Sequence, residues 1–263
     1  MTVAFSIGGL AMQRSITDWG SNVLAFIVAI LVNGLANALP IGGQTTGEVS
    51  ANYESLFTPA GYTFSIWGLI YLGLLVFVIY QALPGQRQSI VLAKVTPYFV
   101  LNCLANSAWI FAWHNDLVVL SLVLMLVILA SLLKIYSLLG IKHGAESPGQ
   151  RLLVNLPFSI YTGWITVATI ANISAVQTGM GWNALGLDPV SWTILKLAIA
   201  GAIGATICLR YKDIAFTLVV AWAALGIFAK QSATPEVAGA AAAIALVAAF
   251  LAAAEVPAKL RPR

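Results

Sequence analysis

Apolar residues in this chain come in long unbroken runs, and Gly, Pro and charged residues fall mainly between them. Runs that read as helices lie near residues 21 to 38, 61 to 82, 95 to 113, 117 to 139, 152 to 174, 190 to 209, 213 to 230 and 236 to 255. Each approaches the roughly 20 residues that an α-helix needs to cross a bilayer. The pattern therefore predicts an all-α polytopic membrane protein with about eight transmembrane helices. Composition agrees: 60% of the 263 residues are hydrophobic and 8% are charged, against the roughly 25% charged residues of soluble domains. With a mean hydropathy of +0.92, lipid is the expected solvent for most of the surface, and a soluble globular protein is excluded.

The few charges are sorted. Arg14, Arg87, Lys94, Lys134, Lys142, Arg151, Arg210, Lys212, Lys259, Arg261 and Arg263 all fall on one side of an eight-helix layout. The opposite gaps hold Lys230 together with Glu48, Glu54, Asp116 and Asp188. The positive-inside rule then puts both termini in the cytoplasm and requires an even number of crossings. The net charge of +4 has no basic run behind it, so it reports topology and not nucleic-acid binding. Residues 1–20 read as a short cytoplasmic leader without a cleavage site, residues 256–263 as a basic cytoplasmic tail, and residues 39–60 as a long, polar, Gly-rich extracytoplasmic loop. A loop of that length suits a lid, or a plain solvated connector. Cys103 and Cys208 lie in separate apolar runs with no ligand spacing, which predicts neither a disulfide nor a zinc site.

Polar and aromatic side chains within the apolar runs carry the specific message, because an unpaired polar group in hydrocarbon is costly. Asn102, Asn106, Trp109 and Trp113 share one face of the third predicted helix, and Tyr161, Trp164, Ala168 and Asn172 share one face of the fifth. Phe64, Trp67 and Tyr71 do the same on the second. If the faces converge, they build an aromatic-walled cavity with amides near its middle, beneath the 39–60 loop. Such a cavity suits a large planar apolar ligand. The alternative is that the amides join helices to one another and the aromatics form an interfacial belt.

These stretches resemble a known family. FTPAGYTFSIWGLIYLG, with Pro59, Trp67 and Tyr71, is similar to the P-x7-W-x3-Y signature of the tryptophan-rich sensory protein family, also called TspO or translocator protein. LNCLANSAWIFAW resembles its third-helix pattern, with Asn106 three residues before Trp109 and Asn102 in place of the usual Gln. YTGWITVATIAN resembles its fifth-helix Y-x2-W-x3-A-x3-N at Tyr161, Trp164, Ala168 and Asn172. The family's double Pro is Pro59 and Ala60 here, and its following Trp is Gly61. The resemblance covers residues 21–175, a five-helix bundle, and leaves 176–255 as three additional transmembrane helices.

What the resemblance implies is a ligand pocket closed by the first loop. Trp67, Tyr71, Asn102, Asn106, Trp109, Tyr161, Trp164 and Asn172 would line it. Its ligands would be porphyrin, haem, other tetrapyrroles or similar lipophiles, with no resident cofactor required. Trp67 and Trp164 would stack on the ring, and Asn106 and Asn172 would orient its polar edges. The expected location is a bacterial cytoplasmic membrane.

Other residues qualify this reading. Lys196 lies within the sixth apolar run, where it can snorkel outward, meet a carboxylate such as Asp188, or await an anionic ligand group. His114 can ligate haem iron or serve as a turn residue, and His143 falls in a solvated loop. Leu133, Tyr136 and Lys142 fit the loose L-x-Y-x-K sterol pattern, though Tyr136 and Lys142 also suit a helix end anchored at the interface. No Asp or Glu lies in mid-membrane and no nucleophile-base set is present, which speaks against proton-driven transport, hydrolysis and ATP turnover. Small residues at four-residue spacing, such as Ala200 with Gly204, allow close packing within the chain or a homodimer face. Three functions remain to be separated: a ligand-binding sensor or carrier, a secondary transporter of a neutral or lipophilic solute, and a light-dependent porphyrin-modifying protein.

Overall fold

A computed structural model describes residues 13–39, 41–141 and 147–260. Most of the leader, Lys142 and His143, and Arg261 and Arg263 of the tail lie outside the described residues, as does the side chain of Lys259. Among the described residues the chain is helical throughout, with no strand.

Helix α1 spans Ile16–Ala38. It starts earlier than its apolar run because Ser15 caps it, accepting from the Asp18 N–H at 3.3 Å. A short helix, α2 (Thr46–Asn52), stands inside the long loop. Helix α3 (Ile66–Ala82) is entered through a tight 3-10 turn at Gly61–Ser65. Helix α4 (Ile90–His114) is capped by Ser89, and α5 (Val118–Leu139) stops at Gly140 with φ 61°. That positive φ favours glycine at a helix C-terminus.

Helix α6 runs continuously over Pro148–Gly179. Pro157 has no backbone N–H to donate, and a π turn at Arg151–Asn155 precedes it, with Leu156 donating to the Arg151 carbonyl. Helices α7 (Pro189–Tyr211), α8 (Ile214–Lys230) and α9 (Pro235–Leu260) complete the chain. Asp188 caps α7 and Asp213 caps α8, each through its carboxylate.

Seven of these helices are long and apolar enough to span a membrane, and α8, with 17 residues, is the shorter apolar one. Its contacts show that it crosses the bundle nonetheless. At its start Tyr136 at the end of α5 donates to Asp213 at 2.7 Å. At its finish Gln231 donates to the Thr58 carbonyl, on the loop before α3. A 17-residue helix is about 26 Å long, the lower limit for a spanning segment. Eight traverses return the chain to the end where it began, where Lys212 pairs with Glu255 at 2.6 Å.

That end is also held by a buried polar cluster. The Arg14 guanidinium reaches Asp18 at 2.9 Å, the Gln81 Oε1 at 2.7 Å and the Gln81 carbonyl at 3.0 Å. Asn22 joins it by donating to Thr96 at 3.1 Å. The foot of α1 is thereby tied to the end of α3 and the start of α4, with every strong donor matched to an acceptor.

Helix α6 is the axis of the molecule: 72% of its most apolar window is buried, against 33% for α3, α5, α7 and α9. It packs on α3 and α5 on one side and on α7 and α8 on the other. Small residues set the approach: a Cβ at Gly163 would stand 3.1 Å from the Phe216 carbonyl of α8, and one at Gly73 of α3 would stand 3.1 Å from Pro157. Around this core Leu24, Leu31, Leu72, Ile79, Leu246 and Phe250 are exposed. An exterior of that kind is the surface of an integral membrane protein.

Candidate functional site

At the end of the bundle opposite Arg14, the long loop folds back over the helices. Thr45 and Glu48 form a capping box, the Thr45 N–H donating to Glu48 at 2.7 Å. These bonds from Thr45 hold the Glu48 carboxyl below its usual pKa. Trp113 of α4 donates its indole N–H to the Thr46 carbonyl at 3.1 Å, and Tyr53 donates to Asp116 at 2.7 Å. Burial, and then that bond to the carboxylate, push the Tyr53 phenol up to about 12. The far end of the loop is fixed by α8, since Ala60 donates to the Gly226 carbonyl at 3.0 Å and Trp222 to the Thr63 carbonyl at 3.0 Å. The loop is thus a folded cover secured at both ends.

Beneath it lies a narrow cleft of about 50 Å³. Its walls include Trp67, Trp109, Trp113 and Trp164, with Asn172 and the small residues Ala168 and Ala171. Phe57, Pro59 and Phe64 close it toward the loop, and Met125, Ala223 and Ile227 complete it. The rings are mutually packed. Trp67 stacks on Tyr71 at 5.4 Å and meets Tyr161 edge-on at 5.9 Å, while Trp109 stacks on Trp113 at 5.5 Å. Phe64 meets Trp164 edge-on at 5.9 Å. The Trp164 indole N–H is buried and has no hydrogen-bond partner among the described residues.

Of the eight residues expected to line a pocket, Trp67, Trp109, Trp164 and Asn172 line this cleft. Tyr71 and Tyr161 stand behind Trp67. The amides serve the fold: Asn106 accepts from Asn33 at 2.7 Å and donates to the Tyr161 hydroxyl at 3.3 Å. Asn172 accepts from the Trp109 indole at 3.2 Å and donates to Ser121 at 2.9 Å. Asn102 bridges to α5 through Ser131 at 3.0 Å and does not line the cleft. A helix-face pattern in sequence cannot distinguish an amide facing a cavity from one already held by a neighbouring helix. Asn33, inside the first apolar run, was a sign that some intramembrane amide needed a polar partner, but its place in the sequence does not say which one. Phe57, Met125, Ala223 and Ile227 carried no sign, being ordinary apolar residues in their segments.

Outside the cleft, and sharing Pro59 and Phe64 with it, a wide vestibule of about 1020 Å³ opens between the loop and the start of α7. Trp182, Trp192, Leu56 and Leu187 line it, with Glu48, Glu54, Lys196 and Lys230 as its charged groups. Trp182 meets Trp192 edge-on at 5.2 Å. Lys196 neither snorkels outward nor pairs with Asp188. It is 6% exposed and donates to Ser174 at 2.8 Å. Asp188 is engaged as the α7 cap, and the Ser191 hydroxyl first, then the Ser191 N–H, hold its carboxyl below the usual pKa.

Two further expectations change. His114 is neither a solvated turn residue nor a lining residue of the cleft or vestibule. It is buried at the end of α4, with Nδ1 at 2.9 Å from the Ile110 carbonyl. Tyr136 is not an interfacial anchor but a buried residue bonded to Asp213. Among the described residues, no three His, Cys, Asp or Glu side chains are grouped as a metal site.

A family model described as TSPO-like protein matches residues 18–254, so the match runs through the last three helices as well as the first five. No curated protein and no solved structure matches the chain.

Proposed function

Since the chain belongs to the TSPO-like protein family, we propose that it is a membrane receptor or carrier for a lipophilic ligand of tetrapyrrole type, taken up through the vestibule and gripped by the tryptophan cleft. The observation that carries this reading is the pairing of an indole-walled cleft with an unpaired buried donor, Trp164 Nε1, opening beside a vestibule of drug-sized volume. A buried donor without an acceptor costs about 1–3 kcal/mol, and a ligand oxygen or nitrogen would relieve that cost. Flat aromatic walls with few polar groups favour a flat apolar partner.

Size dictates how such a ligand sits. At about 50 Å³ the closed cleft holds no more than a few waters, whereas ligand pockets run to about 300–1,000 Å³. In this reading the ring body occupies the vestibule and one edge enters between Trp67 and Trp164 as Phe57 and Phe64 move aside. The 39–60 loop acts as the lid. The basic end of the bundle faces the cytoplasm of a bacterial cell, so the vestibule faces outward.

The test is a titration of the purified chain in non-ionic detergent with protoporphyrin IX and haemin, followed by tryptophan quenching. Ala168→Phe, which fills the cleft from α6, serves as the variant. Saturable quenching in the wild type, weakened about tenfold or more by the plug, is the expected result. Equal, non-saturating quenching in both would mean simple partitioning and would overturn the proposal. Recovery of chemically unchanged porphyrin after illumination separates binding from breakdown.

A further inference from the structure

Lys196 is unusual in its setting. It lies about two turns inside α7, is 6% exposed, and faces the vestibule. A charge inside a spanning segment is costly unless it is paired. Among the described residues its one hydrogen bond goes to the Ser174 hydroxyl at 2.8 Å, and that hydroxyl donates its own hydrogen to the Ile170 carbonyl at 2.9 Å. Ser174 therefore offers a lone pair and no compensating charge.

Two aromatic rings also stand near the ammonium. The rings of Phe57 and Trp192 each stand 5.8 Å from the ammonium, close enough for cation-π attraction. The ion pairs among the described residues, Arg14–Asp18 and Lys212–Glu255, are at the opposite end of the bundle. Of the acids that line the vestibule, Glu48 and Glu54 are exposed at its rim, and Glu48 is bound to Thr45. Lys230, the other vestibule cation, is exposed.

An ammonium carries three donors, and among the described residues only one of those on Lys196 has a protein acceptor. Phe57 also walls the tryptophan cleft, so the cation stands beside the partition between cleft and vestibule. An anionic group that reached it would leave an attached apolar body lying against Leu56, Phe64 and Trp192, which line the vestibule. Shielding from water strengthens such a contact, because charge-assisted bonds gain in a low-dielectric setting.

We propose that Lys196 is the anion anchor of the vestibule, binding the carboxylate of an apolar ligand whose body packs on the surrounding rings. This rests on the ligand-binding reading above and narrows the substrate class to apolar acids. A flat tetrapyrrole acid and a long-chain fatty acid share that chemistry.

The experiment uses the full chain in neutral nanodiscs, titrated with protoporphyrin IX and with its dimethyl ester, in wild type, Lys196→Met and Lys196→Arg. The wild type should bind the diacid about tenfold or more tightly than the ester, as expected for one shielded charge-assisted contact. Lys196→Met should erase that preference by weakening the acid alone, and Lys196→Arg should keep it. Displacement of the porphyrin by oleate but not by methyl oleate would extend the site to fatty acids, whereas failure of both would assign it to ring acids. Equal affinities for acid and ester in the wild type would overturn the anchor while leaving the binding reading intact. So would a preference that persists in a folded Lys196→Met protein. Absence of saturable binding by every probe would overturn both.

Discussion

The amide of Asn172 offers the sharpest check on whether the polar groups of the cleft serve the fold or wait for a ligand. Asn172→Leu removes the acceptor of the Trp109 indole N–H, 3.2 Å away, in a residue only 6% exposed. Ser121 suffers less, because its hydroxyl retains the Val118 carbonyl at 2.8 Å. The main loss is thus one orphaned donor, about 1–3 kcal/mol by the usual cost of an unmade buried bond. Interhelical hydrogen bonds in membrane proteins average about 0.6 kcal/mol and reach about 1.7. A net destabilisation of about 1–2 kcal/mol follows. Trp109→Phe removes the donor instead and keeps the ring against Trp113, with which the indole stacks at 5.5 Å. Once Trp109 is Phe, Asn172→Leu no longer orphans the indole. The double variant should therefore lose less than the sum of the singles by about 0.6–1.7 kcal/mol. Reversible unfolding in mixed detergent micelles, followed by circular dichroism, measures all four proteins. Additivity within about 0.3 kcal/mol would refute the lock and return Asn172 to the role of a ligand handle.

Two other outcomes follow from the lid and its seat. A Cβ at Gly226 would collide with the side chain of Thr63, whereas one at Gly239 of α9 would meet nothing within 4 Å. Gly226→Val should therefore cost about 1–3 kcal/mol through overpacking, and Gly239→Val should leave the melting temperature unchanged or higher. Equal shifts in a thermal melt would show that α8 does not seat the start of α3. Tyr53 has its phenol raised to about 12 by burial and by Asp116, while its ordinary value is about 10. The neutral form is the one the fold favours, so the lid contact is fully present below about pH 10. It is lost as pH rises through about 12. Absorbance at about 295 nm, compared with Tyr53→Phe, should show one phenol titrating late; a difference spectrum with an ordinary midpoint would refute the contact.

The family resemblance rested on Trp67, Asn106, Trp109, Trp164 and Asn172, and the family match over residues 18–254 bears it out. The same match reaches beyond the five helices in which those motifs lie. It agrees with the packing of α8 on α6, where Ala223 and Ile227 supply part of the cleft wall. Nothing in the motif of a single helix could announce that contribution. Gly163, which permits the close approach of α8, stands between two motif residues and reads in sequence as spacing alone.

The sequence by itself determined the solvent and the layering. A span in lipid must satisfy its own backbone, so apolar run length and charge placement are enough to specify helices, their number and their alternation. Capping is likewise local: Ser89, Asp188 and Asp213 act on backbone groups within three residues of themselves. Which partner each polar side chain finds was settled only in three dimensions. Asn106 meets Asn33 across 73 residues, and Lys196 meets Ser174 across 22. A hydrogen bond depends on ångström-scale distance between helices, and helix periodicity fixes the face of a residue but not the neighbour that the face will meet.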